Sequence, residues 1–533
     1  MTLPFTKRTR LALGAALVAA PAFGLAACTD LSVDPFSSVN PENFYQTDAE
    51  VLAALSPVYS QLRTTLWEYH NLSQVSSDET IVPTRGSDWA DGGRWLEMHR
   101  QSWSPTLTDL NGAWVQSFTG VARANGIISD LGPIDVPNKD ALIAEARALR
   151  AFYYYTLLDL FGRVPILAPA PGADPSEFIV DPDNPPAQSS RAEVFDFVVS
   201  ELEAARGALP VAGAGNGGRF SQGAVDAILA NLYLNAPVFT GTVTAGGLQR
   251  GPSRFADAEA AATRVINGPY QLVQGADAWF EMFSADNQDN PEHIFVVQHI
   301  VENGFGMSFP NRGLHYNSFS GGAWNGFSTI AETYQAFDEE DPRIGIFAIG
   351  RAINYDTGEP INNRSNEPLI FSLDFPGGVE NTTEGGGVRI NKFPPDPDLR
   401  AAVNGNHGND YPYFRLGEMY LIRAEARLEQ GNAAGALEDV NAIRSRVGAP
   451  TLSSVDRTAI LNERLFELTY EARRRQDLIR ADPSIQTPGG GSGNLFTRAW
   501  SFKNATEPFR VLFPIPQQQI DASDGTLTQN AGY

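Results

Sequence analysis

Cysteine is almost missing from this chain: 533 residues contain one, Cys28. No internal disulfide can brace it, and no Cys/His metal spacing can be assembled. Histidine is nearly as scarce, with six scattered residues that form no recognisable site. Positive charge is also in short supply, 39 Lys and Arg against 62 Asp and Glu, for a net −23. Such a surface repels phosphate backbones and anionic lipid, which argues against nucleic-acid binding and against electrostatic attachment to membranes. Beyond the N-terminus no segment has the length and apolarity of a membrane-spanning helix. GxSxG, HExxH and Walker sequences are missing as well. Paired carboxylates occur at Asp78-Glu79 and from Asp338 to Asp341. Adjacency in sequence shows nothing about the spacing a glycosidase needs across a scissile bond, so catalysis is the minor reading.

What is present begins with an export signal. Lys7, Arg8 and Arg10 precede the apolar run Leu11 to Ala20, and Leu25-Ala26-Ala27 stands directly before Cys28. This is a lipobox. Residues 1–27 are expected to be removed as a lipoprotein signal peptide, leaving Cys28 as the lipid attachment site. The signal carries three basic groups and no acidic one, so the net charge of the remaining chain is −26 against −23 for the whole. With that charge, the lipid is the expected membrane contact.

The remaining pattern is mainly helical. Leu142, Ala146, Leu149, Tyr153, Leu157 and Leu160 recur at steps of three and four, and Gly162 and Pro165 stop the run. Further helices are predicted over 191–209, 222–234, 255–266, 416–428, 433–447 and 456–470. The pair around the turn Gln430-Gly431-Asn432 has the form of a tetratricopeptide unit, without a strict 34-residue repeat. Between 270 and 415, "EHIFVVQHI" and "PLIFSLDF" read as short strands among long Gly/Asn/aromatic loops. The predicted fold is therefore mainly α: a tetratricopeptide-like helical-repeat scaffold with long ligand-binding loops and minor short β elements.

An ordered series of segments carries a family resemblance: "LSVDPFSSVNPENFYQTDAEVLAAL", "EARALRAFYYYTLLDLFGRVPIL", "GRFSQGAVDAILANLYL", "EHIFVVQ", "DEEDPRI", "NDYPYFRLGEMYLIRAEARLEQGNAAGALEDVNAIRSRVG", "ILNERLFELTYEARRRQDLIR", "LFPIPQQQI" and the terminal "QNAGY". In this order, across nearly all of the mature chain, they resemble the SusD/RagB family of nutrient-binding outer-membrane lipoproteins. "QNAGY" departs from the pattern in carrying Ala531 where proline is common. The resemblance implies one SusD-like domain over 28–533, with an N-terminal part of about 28–235 and a C-terminal SusD/RagB part of about 255–533. It implies lipid anchoring at the outer face of the cell outer membrane. It further implies capture of oligosaccharides, or peptides in some branches, for a SusC-like TonB-dependent outer-membrane β-barrel. A binder rather than an enzyme is implied; no cofactor, calcium or other metal is expected.

Sugar rings offer an apolar C–H face and a polar rim, so their receptors combine flat aromatic rings with fixed polar groups. Two loops supply both. In residues 76–103, Trp89 and Trp95 accompany Asp78, Arg85, Asp88, Asp91 and Arg94. In residues 302–327, Phe305, Phe309, His315, Tyr316, Phe319 and Trp324 alternate with Asn303, Asn311, Arg312, Asn317 and Asn325. The ligand-binding candidates are Trp89, Trp95, Asp78, Arg85, Arg94, Tyr316, Asn317, Trp324 and His315. The rings of "AFYYY" read as core, as do Trp67, Trp103 and Trp114. Glu463, Arg464, Glu467, Glu471, Arg473, Arg474 and Asp477 alternate in sign and read as an ion-paired, solvated face.

Overall fold

The computed structural model describes residues 47–168, 186–211, 217–398, 405–485 and 493–533; the export signal and Cys28 lie outside them. Eight helices pack one on the next in chain order. They are α1 (Asp48–Val75), α2 (Thr108–Leu131), α3 (Lys139–Leu160), α4 (Arg191–Arg206), α5 (Gln222–Leu234), α6 (Phe255–Ile266), α7 (Leu416–Glu429) and α8 (Ala433–Arg446). Local signals set their ends. Thr47 caps α1 by accepting from the Glu50 amide, and Ser190 and Glu193 form a reciprocal capping box on α4. Gly431, at φ +84°, turns the chain between α7 and α8, a conformation that glycine adopts without steric cost. The fold is thus mainly α and tetratricopeptide-like, as the periodicity predicted.

The "AFYYY" rings are buried because α3 has neighbours on several sides. Tyr153 donates to the Val58 carbonyl of α1 at 2.5 Å, Tyr155 to Asn231 of α5 at 3.0 Å, and Tyr154 to the Pro165 carbonyl at 3.3 Å. A Cβ on Gly120 of α2 would collide with the Tyr153 ring, so glycine there permits the close α2–α3 approach.

Between α6 and α7 the chain makes a long excursion, yet those two helices pack directly on each other. The excursion is tied near its two ends by β1 (His293–Val297), which pairs antiparallel with β5 (Tyr411–Arg415). Inside it, β2 (Ser328–Thr329), β4 (Val388–Ile390) and β3 (Phe347–Ala348) form a small sheet with β4 in the middle. Of "PLIFSLDF", Ile370–Phe371 pairs with Gly350–Arg351 and Pro368 bridges Asn362.

The charged run near the C-terminus departs from expectation. Helix α9 (Arg457–Leu468) breaks at Tyr470 and Ala472, both at positive φ, before α10 (Arg474–Arg480). Glu463, Arg464, Glu467, Glu471, Arg473, Arg474 and Asp477 are all buried, not solvated. Arg343 lies 2.7 Å from Asp341, 2.8 Å from Glu463 and 2.9 Å from Glu467. Arg415 pairs with Glu467, with Glu292 at 3.1 Å and with Glu471 at 2.8 Å. Arg446 pairs with Glu467 and, at 2.5 Å, with Glu292; Lys392 reaches Glu471 at 2.5 Å. Burial alone would raise the Glu467 carboxyl, but Arg446, Arg415 and Arg343 hold it well below the usual carboxylate range. The network binds the excursion to the C-terminal helices and so holds the loops described next.

Candidate functional site

The two aromatic loops meet in space. Ile81 and Ser328 exchange backbone hydrogen bonds of 2.8 and 2.9 Å. Arg85, buried, donates to the Asn325 carbonyl at 2.7 Å, to the Thr383 carbonyl at 2.8 Å and to Ser328 Oγ at 2.9 Å. It therefore splices three segments together and presents no free surface to a ligand. Trp89, half-buried at φ +61°, donates its Nε1–H to the Trp324 carbonyl at 2.6 Å. A Cβ on Gly326 would strike the Trp89 indole, so this glycine makes room for the ring.

Beside this contact, Tyr316 donates its hydroxyl to Asp88 at 2.5 Å. Arg364 donates to the same carboxylate at 3.0 Å and to Glu384 at 2.7 Å, with its guanidinium 4.6 Å from the Tyr316 ring centre. Burial and the Asp88 carboxylate push the Tyr316 hydroxyl up to about 12, so it remains a neutral donor at physiological pH. Asn317, exposed, donates to the Asn362 carbonyl at 2.9 Å and accepts at its own carbonyl from Asn354 at 2.9 Å. The result is a surface carrying the half-buried Trp89 and Tyr316 beside Asp88, Asn317, Arg364 and Glu384; the half-buried Trp324, whose carbonyl Trp89 holds, sets its ring against Gly405. Arg364 and Glu384 were missed in the sequence. Their signals are the "NNRSN" run around Arg364 and the "NTTEGGG" run around Glu384, both turn compositions rather than site motifs.

Other candidates sit elsewhere. Trp95 is 2% exposed on a short helix, Arg94–His99, packed against Trp89 and Phe327, with its Nε1–H on Asp91. Its ring fills the wall behind Trp89 and cannot stack a ligand. Trp95→Ala should therefore lower stability, by about 3–5 kcal/mol in chemical denaturation. Arg94 forks onto Asp109 of α2 at 3.1 Å, and Asp78 holds Arg474 at 2.7 and 2.8 Å, so both are structural ties. His315 is buried against Glu384 at 2.9 Å; burial lowers its basicity, and it positions Glu384 rather than facing solvent. Trp103 and Trp114 are core as expected, whereas Trp67 is 36% exposed. Trp67 lies on α1 where the helix passes the 302–327 loop, and it covers the guanidinium of the fully buried Arg312 at 3.9 Å.

Comparison with known proteins agrees with the architecture. Residues 277–533 match the profile described as the SusD family, and residues 38–234 match the SusD-like profile described as starch-binding, associating with outer membrane. The chain is similar to SusD-like protein P2 of Formosa agariphila, at 26% identity over 96% of this chain and 97% of that protein. It is similar to the starch-binding protein SusD of Bacteroides thetaiotaomicron, at 24% identity over 99% and 100%. Among solved structures, surface glycan-binding protein A from Bacteroides thetaiotaomicron in complex with laminarihexaose superposes with a TM-score of 0.68, at 20% identity over 91% of this chain and 99% of that one. Two profiles in tandem, full-length relatives and a shared helical scaffold carry one conclusion: the chain belongs to the SusD family.

Proposed function

We propose that this protein is a cell-surface lipoprotein, anchored through Cys28 at the outer membrane, that binds oligosaccharides and passes them to a SusC-like TonB-dependent barrel. The observation that carries the binding step is the platform: Trp89, Tyr316 and Trp324 drawn from loops more than 200 residues apart and framed by Asp88, Asn317, Arg364 and Glu384. Rings offer the sugar C–H face a stacking surface, and the fixed carboxylates, amide and guanidinium suit its hydroxyls. Arg364, the exposed cation of the cluster, is already matched by two carboxylates, and Arg85 and Arg389 behind it are buried, so no free cation is offered to a ligand acid. Neutral sugars are therefore favoured over uronic acids and over peptide carboxyl termini. The names of relatives, starch-binding and glycan-binding, point the same way. None of the described helices is long and apolar enough to cross a membrane, so delivery requires a separate channel.

Titration against neutral hexasaccharides of several linkages tests the reading. Trp324→Ala and Tyr316→Ala should each weaken binding by about 1–3 kcal/mol, by analogy with aromatic stacking of other rings, while the melting temperature stays near wild type. New reducing ends released from those sugars would instead mark an enzyme. Absence of binding to every member of the panel would remove the glycan reading.

A further inference from the structure

A second recess opens on the other side of Arg312. It has a volume of about 170 Å³ and is lined by Arg63, Thr64, Trp67, His299, Ser308 and Phe309. Large apolar side chains are exposed around it: Trp67 at 36%, Phe305 at 42%, and Ile300 and Val301 on the adjoining turn. Phe305 is held out by a turn in which the Ile300 amide donates to the Phe305 carbonyl, and the Arg63 guanidinium lies 5.0 Å from its ring centre. Exposed aromatic rings beside a cleft are the mark of a binding surface rather than of packing.

Polar groups also line the recess: His299, 8% exposed, stands in its wall with Arg63. Burial, with Arg63 nearby, lowers the His299 imidazole to about 3, so it faces the recess as a neutral group. Arg63 contributes further donors from the rim, where its Nη1 already holds the Gln298 carbonyl at 2.9 Å.

The recess adjoins Trp324: a Cβ on Gly405 would lie 3.1 Å from the Trp324 ring, and the next residue, Asn406, accepts at 3.0 Å the amide of Gly304, which lines the recess. One loop supplies both places: Gly304, Gly306, Ser308 and Phe309 line the recess, with Phe305 beside Arg63 at its edge, and Tyr316 and Trp324 belong to the platform. We propose that the Trp67 recess is a second subsite, which takes one neutral pyranose unit of an oligosaccharide whose other units lie on the Tyr316–Trp324 platform. The Trp67 and Phe305 rings would take its C–H faces, and His299 and Arg63 its hydroxyls. This inference rests on the glycan-binding reading and extends it, since it makes the protein selective for chains long enough to reach both places.

Calorimetric titration of the full chain with laminari-, malto-, cello-, xylo- and mannohexaose tests it. With the tightest binder, Trp67→Ala and Phe305→Ala should each weaken affinity about tenfold, in keeping with the loss of one stacked ring. Thr64→Trp, which fills the recess from an exposed position, should do the same, and it decides the matter alone if Trp67→Ala melts early. Affinities within twofold of wild type for Phe305→Ala and Thr64→Trp would overturn the second subsite; a loss in Trp324→Ala beside them would leave the platform standing. If the unaltered protein binds none of the five sugars, the platform reading fails first and the second subsite falls with it.

Discussion

Glu467→Gln is expected to cost about 3–5 kcal/mol of folding stability at neutral pH, the effect of removing one member of a buried, hydrogen-bonded ion network. Glu467 is fully buried and faces Arg343, Arg415 and Arg446, and it also accepts the Trp279 indole N–H at 3.1 Å. Glutamine keeps the shape but leaves three guanidiniums short of one negative charge in a site that water cannot reach. The pH dependence has a definite sign. Because the folded-state carboxyl titrates well below its ordinary 4.5, its contribution is present above that value and is lost as the pH falls below it. Glu471 and Asp477 are also held low against the effect of burial, by Arg415 and Lys392 and by Arg464 and Arg480 respectively, and they add in the same direction. Urea denaturation at a series of pH values should show a wide gap between wild type and Glu467→Gln at pH 7 that narrows in acid. Equal stabilities at pH 7 would mean that helix packing alone holds the excursion to the scaffold.

Cys28→Ser should release the protein from the membrane fraction or leave it uncleaved, while its far-ultraviolet circular dichroism and melting behaviour remain those of the wild type. The chain has no second cysteine to take the lipid. A net charge of −23 gives no electrostatic substitute at an anionic membrane. With neither an acyl site nor a basic patch left, nearly all of the cleaved protein should leave the membrane fraction, whereas an uncleaved precursor would be recognised by its larger mass. Normal membrane attachment of Cys28→Ser would remove Cys28 as the anchor.

Much of the scaffold was legible in the sequence. The stripe from Leu142 to Leu160, the Gly162 and Pro165 stop and the turn at Gly431 are local devices, and helices follow from local spacing. The order of the family motifs identified the fold and the family because so long a series has few alternative explanations. The rings of "AFYYY" could be placed in the core for a related reason. Large apolar groups at successive helical positions point in several directions, and only a helix surrounded by others can bury them all.

Tertiary structure alone decided which members of each composition-defined set face water. Alternating charges along α9 and α10 look the same whether solvated or buried. Their partners, Glu292, Asp341, Arg343, Lys392, Arg415 and Arg446, come from other segments and supply the compensation that makes burial tolerable. Trp95 and Trp324 stand in equally polar loops, yet one is buried and the other half-exposed, because Trp89 and Phe327 close over the first. Arg364 reaches Asp88 across 276 positions, a contact that no local pattern encodes. Trp67 lies on a core helix, but α1 meets the 302–327 loop there, so its ring covers Arg312 and stays partly in solvent. Periodicity reports which side chains a helix can bury, whereas the partner across the gap is set by long-range packing, and the proposed binding surface is made from those partners.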